Sequence, residues 1–407
     1  MTVIRRFFAD PAVRLSVSVV LLLRVITLLV AAWGSAVLPS EIDWSTQPIE
    51  YTLSETITSQ GVLRSFVEPW FRWDTGWYVF IAHEGYAHPE SIIFPPLYPA
   101  LIRLSAPVVG GDYVISALVI STLSMFTAFV LLYKIAAVDF GDAVAAQTLI
   151  LISAYPVAFY LVAGYTESLF LALTLGAWWM VTKKQYWIAG ILAFFAALTR
   201  SQGWTLVFPF AYMVYVAPHG GKLITAARCW IAHPLQALRP LPAVIGGGIG
   251  TTAYVLSMRL AGLGNVEEKY SSAHWRTALV PPWDELIRSI QALFTPSSEF
   301  YRSNLTNIAA FAFVALMVIL MARRMKPQYT LYATVTLLFI LLRSYSDIVL
   351  HGMLRYALEI FPAFIMLAIV FTLKHPVVRG LRLAILGVGM SANIFFLLLF
   401  VWWGWVA

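Results

Sequence analysis

Long apolar runs separated by short polar segments dominate the chain. A membrane-spanning helix needs about 20 mostly apolar residues, and eleven segments approach or exceed that requirement: 15–38, 113–133, 143–163, 166–182, 186–200, 203–217, 241–262, 304–322, 329–343, 352–373 and 383–405. A further apolar stretch, 92–109, contains four prolines that oppose a regular helix, so we interpret it as re-entrant or interfacial. The pattern predicts an all-α polytopic membrane protein with about eleven spans.

The charges at the ends of these runs predict how the chain is oriented. With a cytoplasmic N-terminus, eleven spans leave basic residues in the short cytoplasmic loops, in agreement with the positive-inside rule. Two longer loops then lie on the extracytoplasmic side: 39–112, which would contain an interfacial helix and the re-entrant segment, and 263–303. We therefore expect a single integral membrane domain over residues 1–407.

Composition excludes several other classes of protein. Hydrophobic residues make up 60% of the chain and charged residues 12%, whereas an ordinary globular domain is roughly 45–50% apolar and about 25% charged. The net charge of +7 comes from basic residues scattered over short loops, so it does not indicate a nucleic-acid partner. Cys229 is the only cysteine, which excludes an internal disulfide and a thiolate metal cluster.

The first outer loop contains the densest group of aromatic and polar residues. Five aromatic residues recur at i, i+4, i+7, i+11 and i+14: Phe66, Trp70, Trp73, Trp77 and Phe80. This spacing predicts one apolar stripe on a helix at the membrane surface, with Asp74 on its flank. Asp74 is then either a solvated neighbour of an aromatic anchor, or a base that removes a proton from a sugar hydroxyl while the rings stack on the sugar.

A second polar group lies at the predicted outer ends of later spans: Glu167, Arg200, Arg343, Asp347, His351, Arg355 and Glu359. Ionisable residues at such positions usually face a cavity or a partner, and arginine can bind a phosphate through two parallel hydrogen bonds. For each arginine the structural alternative is an ion pair or a snorkelling side chain, and snorkelling is favoured for Arg24, Arg103 and Arg259. Together with Asp74, this group suggests an outer-face site for an anionic lipid that carries a sugar.

Six motifs, in order along residues 72–362, carry a family resemblance: Arg72-Trp73-Asp74, Phe94-Pro95-Pro96-Leu97-Tyr98-Pro99, Tyr155-Pro156 through Tyr165-Thr166-Glu167-Ser168-Leu169-Phe170, Thr199-Arg200-Ser201-Gln202-Gly203, His274-Trp275 with Pro281-Pro282-Trp283, and Arg355-Tyr356 through Phe361-Pro362. The set resembles the PIG-V-type mannosyltransferases (the GPI mannosyltransferase 2-like family of GT-C glycosyltransferases), in the form of a prokaryotic relative.

The resemblance implies a GT-C-type helical bundle that transfers mannose, with inversion, from a polyprenyl-phosphate-mannose donor to a lipid-linked or glycan acceptor at the extracytoplasmic face. At the matching positions, Asp74 would be the general base, and Arg200 and Arg355 would bind the donor phosphate. The residues expected to bind substrate are Arg72, Trp73, Trp77, Tyr78, Glu84, Tyr98, Glu167 and Trp275.

The expected partners are the sugar donor, the acceptor and membrane lipid, with no nucleic acid. We expect no cofactor and no metal site, because no His, Asp and Glu grouping has metal-ligand spacing; the need for a divalent ion, the acceptor and the oligomeric state stay open. The resemblance implies the plasma membrane of a prokaryote or the endoplasmic reticulum of a eukaryote. The alternative function is a multi-span transporter or flippase of a lipid-linked sugar, although the internal repeats typical of transporters are not detectable.

Overall fold

The computed structural model describes residues 9–37, 56–373 and 375–406, and most of them are helical. The α-helices, numbered in chain order, are α1 (Pro11–Val37), α2 (Gly61–Val67), α3 (Asp74–Glu84), α4 (Leu97–Ser105), α5 (Tyr113–Phe140), α6 (Asp142–Ser153), α7 (Glu167–Thr182), α8 (Tyr186–Ala197), α9 (Val207–Ala211), α10 (Leu223–Ala232), α11 (Pro234–Leu238), α12 (Leu241–Leu260), α13 (Val266–Tyr270), α14 (Pro282–Leu293), α15 (Tyr301–Arg324), α16 (Pro327–Leu341), α17 (Met353–Tyr356), α18 (Phe361–Phe371) and α19 (Pro376–Val401). Shorter 3₁₀-helices include Glu68–Trp70, Pro89–Ile93, Ala106–Val109, Ala158–Leu161, Ser201–Leu206, Ala217–His219 and Ala357–Glu359, and Tyr212–Val216 is a π-helix.

Five of the described helices are long and apolar enough to cross a membrane: α1, α5, α12, α15 and α19. A sixth candidate is the pair formed by Met353–Glu359 and α18, which is bent by 76° at a break. Each of the eleven predicted spans contains helical residues, but the others are built from shorter helices. The multi-pass membrane architecture therefore agrees with the prediction, whereas the count of eleven and the cytoplasmic N-terminus stay predictions. The segment 97–109 forms a short apolar helix, too short for a span.

Turn residues determine where the long helix α5 begins and ends. The Asp112 side chain accepts a hydrogen bond from the Ile115 backbone N–H at 2.9 Å and another from the Ser59 N–H at 3.1 Å, so it caps the helix and ties residue 59 to it. Gly141 has φ +88°, which a residue with a side chain rarely adopts, and it separates α5 from α6.

The described chain divides into two units, which we describe separately. The first comprises residues up to 172 together with 367–406, and the second comprises 173–366. The boundaries fall within α7 and α18. The single domain expected over 1–407 stays a prediction.

In the first unit, α1 packs against α5 and α19, and this packing buries Arg24. The Arg24 guanidinium donates from Nη2 to the Leu118 carbonyl oxygen at 2.9 Å and from Nε to the Thr122 hydroxyl at 3.0 Å. Its centre lies 5.8 Å from the centroid of the Trp70 ring. The snorkelling predicted for Arg24 is therefore wrong, because protein groups within the unit solvate the side chain.

The single aromatic helix predicted for residues 66–80 is also wrong. Helix α2 ends at Val67, a 3₁₀ turn covers 68–70, and α3 begins only at Asp74. Pro69 stands in that turn and Trp73 has φ +51°, a value incompatible with a continuous α-helix. Two of the five rings are also buried rather than lipid-facing, since Trp70 is 0% exposed and Trp77 is 5% exposed.

In the second unit, α8 and α12 are in close contact along a row of glycines. A Cβ atom on Gly246 would lie 2.2 Å from the Gly190 carbonyl oxygen, and one on Gly190 would lie 2.4 Å from the Pro242 carbonyl oxygen. Only residues without a side chain allow two helix backbones to approach so closely, which is a common packing device in membrane helices. The glycines of these two segments therefore determine how the helices pack.

The predicted outer loop 263–303 contains regular structure. It includes α13, the strand β1 (Thr277–Leu279) and α14. Strand β1 pairs antiparallel with β2 (Arg343–Tyr345), and Leu279 lies opposite Arg343. The all-α fold is confirmed, and a small two-stranded sheet is added to it. Two three-residue strands far apart in sequence have too little periodicity to be detected beforehand.

Candidate functional site

The candidate residues fall into two groups, one in each unit, and each group is described by itself. Among the described residues, no group of three or more His, Cys, Asp and Glu side chains could hold a metal ion. The first group surrounds Asp74, and the second surrounds Arg200, Arg343 and Arg355.

Arg72 holds the bend that precedes Asp74. Its Nε donates to the Val401 carbonyl oxygen at 2.9 Å, and its Nη1 donates to the carbonyl oxygens of Glu68 at 3.0 Å and Phe71 at 2.9 Å. The guanidinium carbon lies 4.9 Å from the Trp403 ring centroid. Burial lowers the pKa of Arg72 to about 10, which leaves it protonated at neutral pH. These contacts support a positioning role, and contact with substrate stays a prediction.

Trp73 lies between the bend and α3 in a strained conformation. Its φ of +51° is uncommon for any residue other than glycine. A bulky side chain in this conformation is strained, and contacts with neighbouring residues must stabilise it. The indole ring lies 5.6 Å from the ring of Trp403 and 5.1 Å from that of Trp405. These C-terminal tryptophans therefore fix the position where α3 starts.

Asp74 is the first residue of α3 and its side chain is half-buried. Its backbone N–H donates to the Tyr165 hydroxyl at 3.2 Å, and the hydroxyl of the next residue, Thr75, donates to the Gly164 carbonyl oxygen at 3.3 Å. The backbone at the start of α3 is thus held by hydrogen bonds to residues 164 and 165.

Two predicted substrate-binding tyrosines lie in the same part of the unit. The Tyr78 ring is 5.1 Å from the Tyr98 ring, and the Tyr78 hydroxyl is 3.3 Å from the Thr166 hydroxyl. Glu167 follows Thr166, begins α7 and is 1% exposed. The sequence motifs around positions 74, 98 and 167 are therefore brought together through Tyr78, although Tyr98 itself is fully buried and bonded to Ser121 at 2.7 Å.

Trp77 and Glu84, the other two residues of α3 expected to bind substrate, are less favourably placed for that contact. Trp77 stacks on Phe94 at 5.6 Å, contacts the His88 ring edge-on at 5.3 Å and is only 5% exposed. Glu84 ends the helix ten residues after Asp74, roughly 15 Å along the axis, and its Oε1 lies 2.7 Å from Nδ1 of His83. The structure therefore does not bring Glu84 beside Asp74.

In the second unit, Arg200 forms a buried ion pair. Its Nε lies 2.7 Å from Oε1 of Glu359, and the two side chains are 7% and 1% exposed. The Gln202 amide donates to the other oxygen of Glu359 at 3.2 Å. The Arg200 charge is thus already matched by a carboxylate, whereas donor-phosphate contact by Arg200 stays a prediction.

Arg343 and Arg355 lie near this pair. Both Arg200 and Arg355 face the Tyr356 ring, with guanidinium carbons 5.0 Å and 5.9 Å from its centroid. Arg343 donates to the Ser201 hydroxyl at 3.5 Å, and its guanidinium lies over the rings of Tyr270 and Phe339 at 4.5 Å and 4.8 Å.

Arg343 is half-buried and, in contrast to Arg200, forms no ion pair with a carboxylate of the described residues. A cation held between rings without a counter-ion can accept an anionic ligand. Sequence reasoning favoured an ion pair or snorkelling here, since the motifs include neither Arg343 nor the residues that sandwich it.

Trp275 is the last candidate of the second unit. It is half-buried, and its ring contacts the exposed His274 ring edge-on at 4.7 Å. It lies two residues before β1, the strand that pairs with the strand carrying Arg343. Substrate binding by Trp275 stays a prediction.

A family model described as Mannosyltransferase (PIG-V) matches residues 14–221, which is just over half of the 407 residues. The chain belongs to the PIG-V mannosyltransferase family. The PIG-V match contains the motifs around Asp74, Tyr98, Glu167 and Arg200, whereas those around Trp275 and Arg355 lie beyond it.

Several curated proteins resemble this PIG-V family member over part of their length. The human GPI alpha-1,6-mannosyltransferase 2 is 28% identical over 192 residues, which are 44% of this chain and 38% of the human protein. The mouse protein of that name is 32% identical over 144 residues, 32% of this chain and 29% of the relative. The Schizosaccharomyces pombe GPI mannosyltransferase 2 is 28% identical over 158 residues, which are 37% of this chain and 34% of the relative.

Among solved structures, the Archaeoglobus fulgidus oligosaccharyltransferase resembles the chain with a TM-score of 0.43 and 13% identity. The match covers 94% of this chain and 53% of the oligosaccharyltransferase chain.

Each curated match described above spans less than half of the relative's length.

Proposed function

We propose that this PIG-V family member is a membrane mannosyltransferase that uses a polyprenyl-phosphate-mannose donor and a lipid-linked or glycan acceptor at the extracytoplasmic face. Family membership supports a sugar transfer reaction. The observation that carries the proposal is the position of Asp74, a half-buried carboxylate at the start of α3 whose backbone is held by the Tyr165 hydroxyl.

In the proposed reaction, Asp74 is the general base. Its carboxylate takes the proton of an acceptor hydroxyl as the hydroxyl oxygen attacks the anomeric carbon of mannose. The bond from that carbon to the phosphate oxygen breaks, and its electron pair leaves with the polyprenyl phosphate. Attack from the face opposite the leaving group inverts the anomeric configuration. Since phosphate is a good leaving group, one carboxylate suffices, unlike the paired acids of a glycoside hydrolase.

Cations must stabilise the charge that develops on the departing phosphate. We propose Arg355 and Arg343 for this contact, and a supporting role for Arg200. This division is favoured because Arg343 forms no ion pair with a carboxylate in the described part of the chain and because Arg355 is half-exposed. Arg200, neutralised by Glu359 and facing the same Tyr356 ring as Arg355, would keep that ring and its neighbours in place.

The decisive experiment replaces Asp74 by Asn, which keeps the shape of the side chain and removes the base. We expect Asp74→Asn to retain the thermal stability of the wild type and to lose at least about 100-fold in turnover, the usual contribution of a positioned base. The assay is mannose transfer from a short-chain polyprenyl-phosphate-mannose, with the purified protein in nanodiscs. The matched control is Glu299→Gln, which neutralises an exposed carboxylate far from the candidate residues in sequence.

Near-normal turnover of a folded Asp74→Asn protein would remove Asp74 from the base role. Movement of a lipid-linked sugar across sealed vesicles, with no mannosylated product, would instead indicate the flippase alternative, which the family match does not favour.

A further inference from the structure

Helix α14 has an unusual distribution of polar and apolar residues. The face that points away from the unit carries large apolar side chains, with Trp283 64%, Ile287 51% and Ile290 59% exposed, and Phe294 continues the row just beyond the helix at 80%. At 100° per residue these positions fall on one side of the helix. The opposite side, which packs into the unit, carries Glu285 at 0% and Ser289 at 7% exposure. The exposed face is thus the apolar one.

The buried polar side of α14 holds a neighbouring loop. Oε1 of Glu285 accepts from the backbone N–H of Leu350 at 2.7 Å, and Oε2 accepts from Nη1 of Arg288 at 2.9 Å. Nη2 of Arg288 donates to the carbonyl oxygens of Tyr345 at 2.8 Å and Ser346 at 3.0 Å. Leu350 has φ +49°, which is strained for a residue with a side chain. The polar side therefore has protein partners, and the apolar face needs a different one.

The location of α14 indicates what that partner is. Helix α14 ends at Leu293 and packs against α15, which starts at Tyr301. The 24 residues of α15 extend about 36 Å, enough to cross the roughly 30 Å hydrocarbon core. The beginning of α15 therefore lies close to a boundary of the bilayer, and α14 lies beside that boundary.

A third side of α14 is polar and exposed, and carries Asp284 and Gln291 about a quarter turn from the apolar face. Helices that lie in the membrane interface place apolar residues among the acyl chains and polar residues at the headgroups, and tryptophan favours that depth. We propose that α14 lies flat in the membrane interface, with Trp283, Ile287 and Ile290 in the acyl chains. Through Glu285 and Arg288, the bilayer then fixes the height of the loop 345–350.

The test measures what covers the apolar face in the full-length protein. A nitroxide label is attached at Ile287→Cys or Ile290→Cys in a Cys229→Ser background, since Cys229 is the only native cysteine. The matched control is Gln291→Cys, on the polar exposed side of the same helix. Each protein is reconstituted in phosphatidylcholine nanodiscs, and power saturation is measured with molecular oxygen, which concentrates in acyl chains, and with a water-soluble nickel chelate.

We expect labels at 287 and 290 to be relaxed at least about threefold more by oxygen than by the chelate, and the label at 291 to show the reverse order. Equal access of the chelate to all three positions would place the face in water and overturn the proposal. Shielding of 287 and 290 from both reagents would also overturn it, because a protein, such as a second copy of the chain, would then cover the face. If either variant fails to elute as a monodisperse protein, Trp283→Cys provides a third position on the same face.

Discussion

The buried pair of Arg200 and Glu359 leads to a stability prediction that separates its structural role from phosphate binding. At 2.7 Å, two unit charges attract by about 6 kcal/mol at an effective dielectric constant of about 20. Removing one partner leaves the other charge buried without compensation, which typically costs about 3–5 kcal/mol. We therefore expect Arg200→Met and Glu359→Leu each to lower the free energy of unfolding by about 3–5 kcal/mol.

The double variant is the informative member of the series. Replacing both charges by apolar residues removes the uncompensated charge, so Arg200→Met/Glu359→Leu should be more stable than either single variant. The matched control is the exposed pair of Arg276 and Asp347, at 3.2 Å with side chains 57% and 40% exposed. Because water and salt screen it, Arg276→Met should cost less than about 1 kcal/mol.

Both readouts of this series use protein purified in detergent: thermal unfolding, and the KM for the polyprenyl-phosphate-mannose donor. The structural role predicts that Arg200→Met loses stability while the donor KM of its folded fraction rises less than tenfold. The reasoning is refuted if Arg200→Met keeps its stability and raises the donor KM tenfold or more. It is refuted equally if the double variant is no more stable than the more stable of the two single variants.

Two further changes test the packing of α3 and the role of Arg343. A Cβ on Gly164 would lie 2.7 Å from Cγ2 and 3.1 Å from the hydroxyl of Thr75, so Gly164→Ala should lower the free energy of unfolding by about 1–3 kcal/mol, measured by thermal unfolding. Adding Thr75→Ser removes Cγ2 and should recover part of that loss. No recovery would mean that the clash lies elsewhere. Arg343→Gln should raise the donor KM about 10- to 100-fold, as expected for one lost hydrogen bond between charged groups, and should leave the stability nearly unchanged. An unaltered KM would exclude Arg343 from donor binding. The control is Arg323→Gln, at the exposed end of α15.

The membrane architecture could be predicted because its cause acts locally. Runs of apolar residues must form structures that satisfy their own backbone hydrogen bonds in lipid, so α1, α5, α12, α15 and α19 were detectable from hydropathy. The shorter helices α6, α8 and α16 were detectable as apolar segments, but their ends depend on turns such as the one at Gly141.

The aromatic stripe failed as a prediction because its spacing has two possible causes. Residues recurring every three or four positions suit one face of a helix, but the same rings here pack in several directions around a bend. Trp70 contacts Phe400, and Trp73 contacts Trp403 and Trp405. These partners come from the other end of the chain, more than 300 residues away, so no local pattern can predict that the helix breaks between them.

The arginines show that the sequence can identify a charged residue near a membrane segment more easily than it can predict the role of that residue. Arg24, Arg200 and Arg343 were all recognisable as costly charges next to apolar segments. Their roles differ only because Arg24 is solvated by the Leu118 carbonyl and Thr122, Arg200 by Glu359, and Arg343 by aromatic rings without a carboxylate among the described residues. A cation that has a buried counter-ion contributes chiefly to folding, whereas one held between aromatic rings keeps its charge available to a ligand. The identity of the neighbour is therefore the reason to propose Arg343 rather than Arg200 for phosphate binding, and tertiary packing alone provides that neighbour.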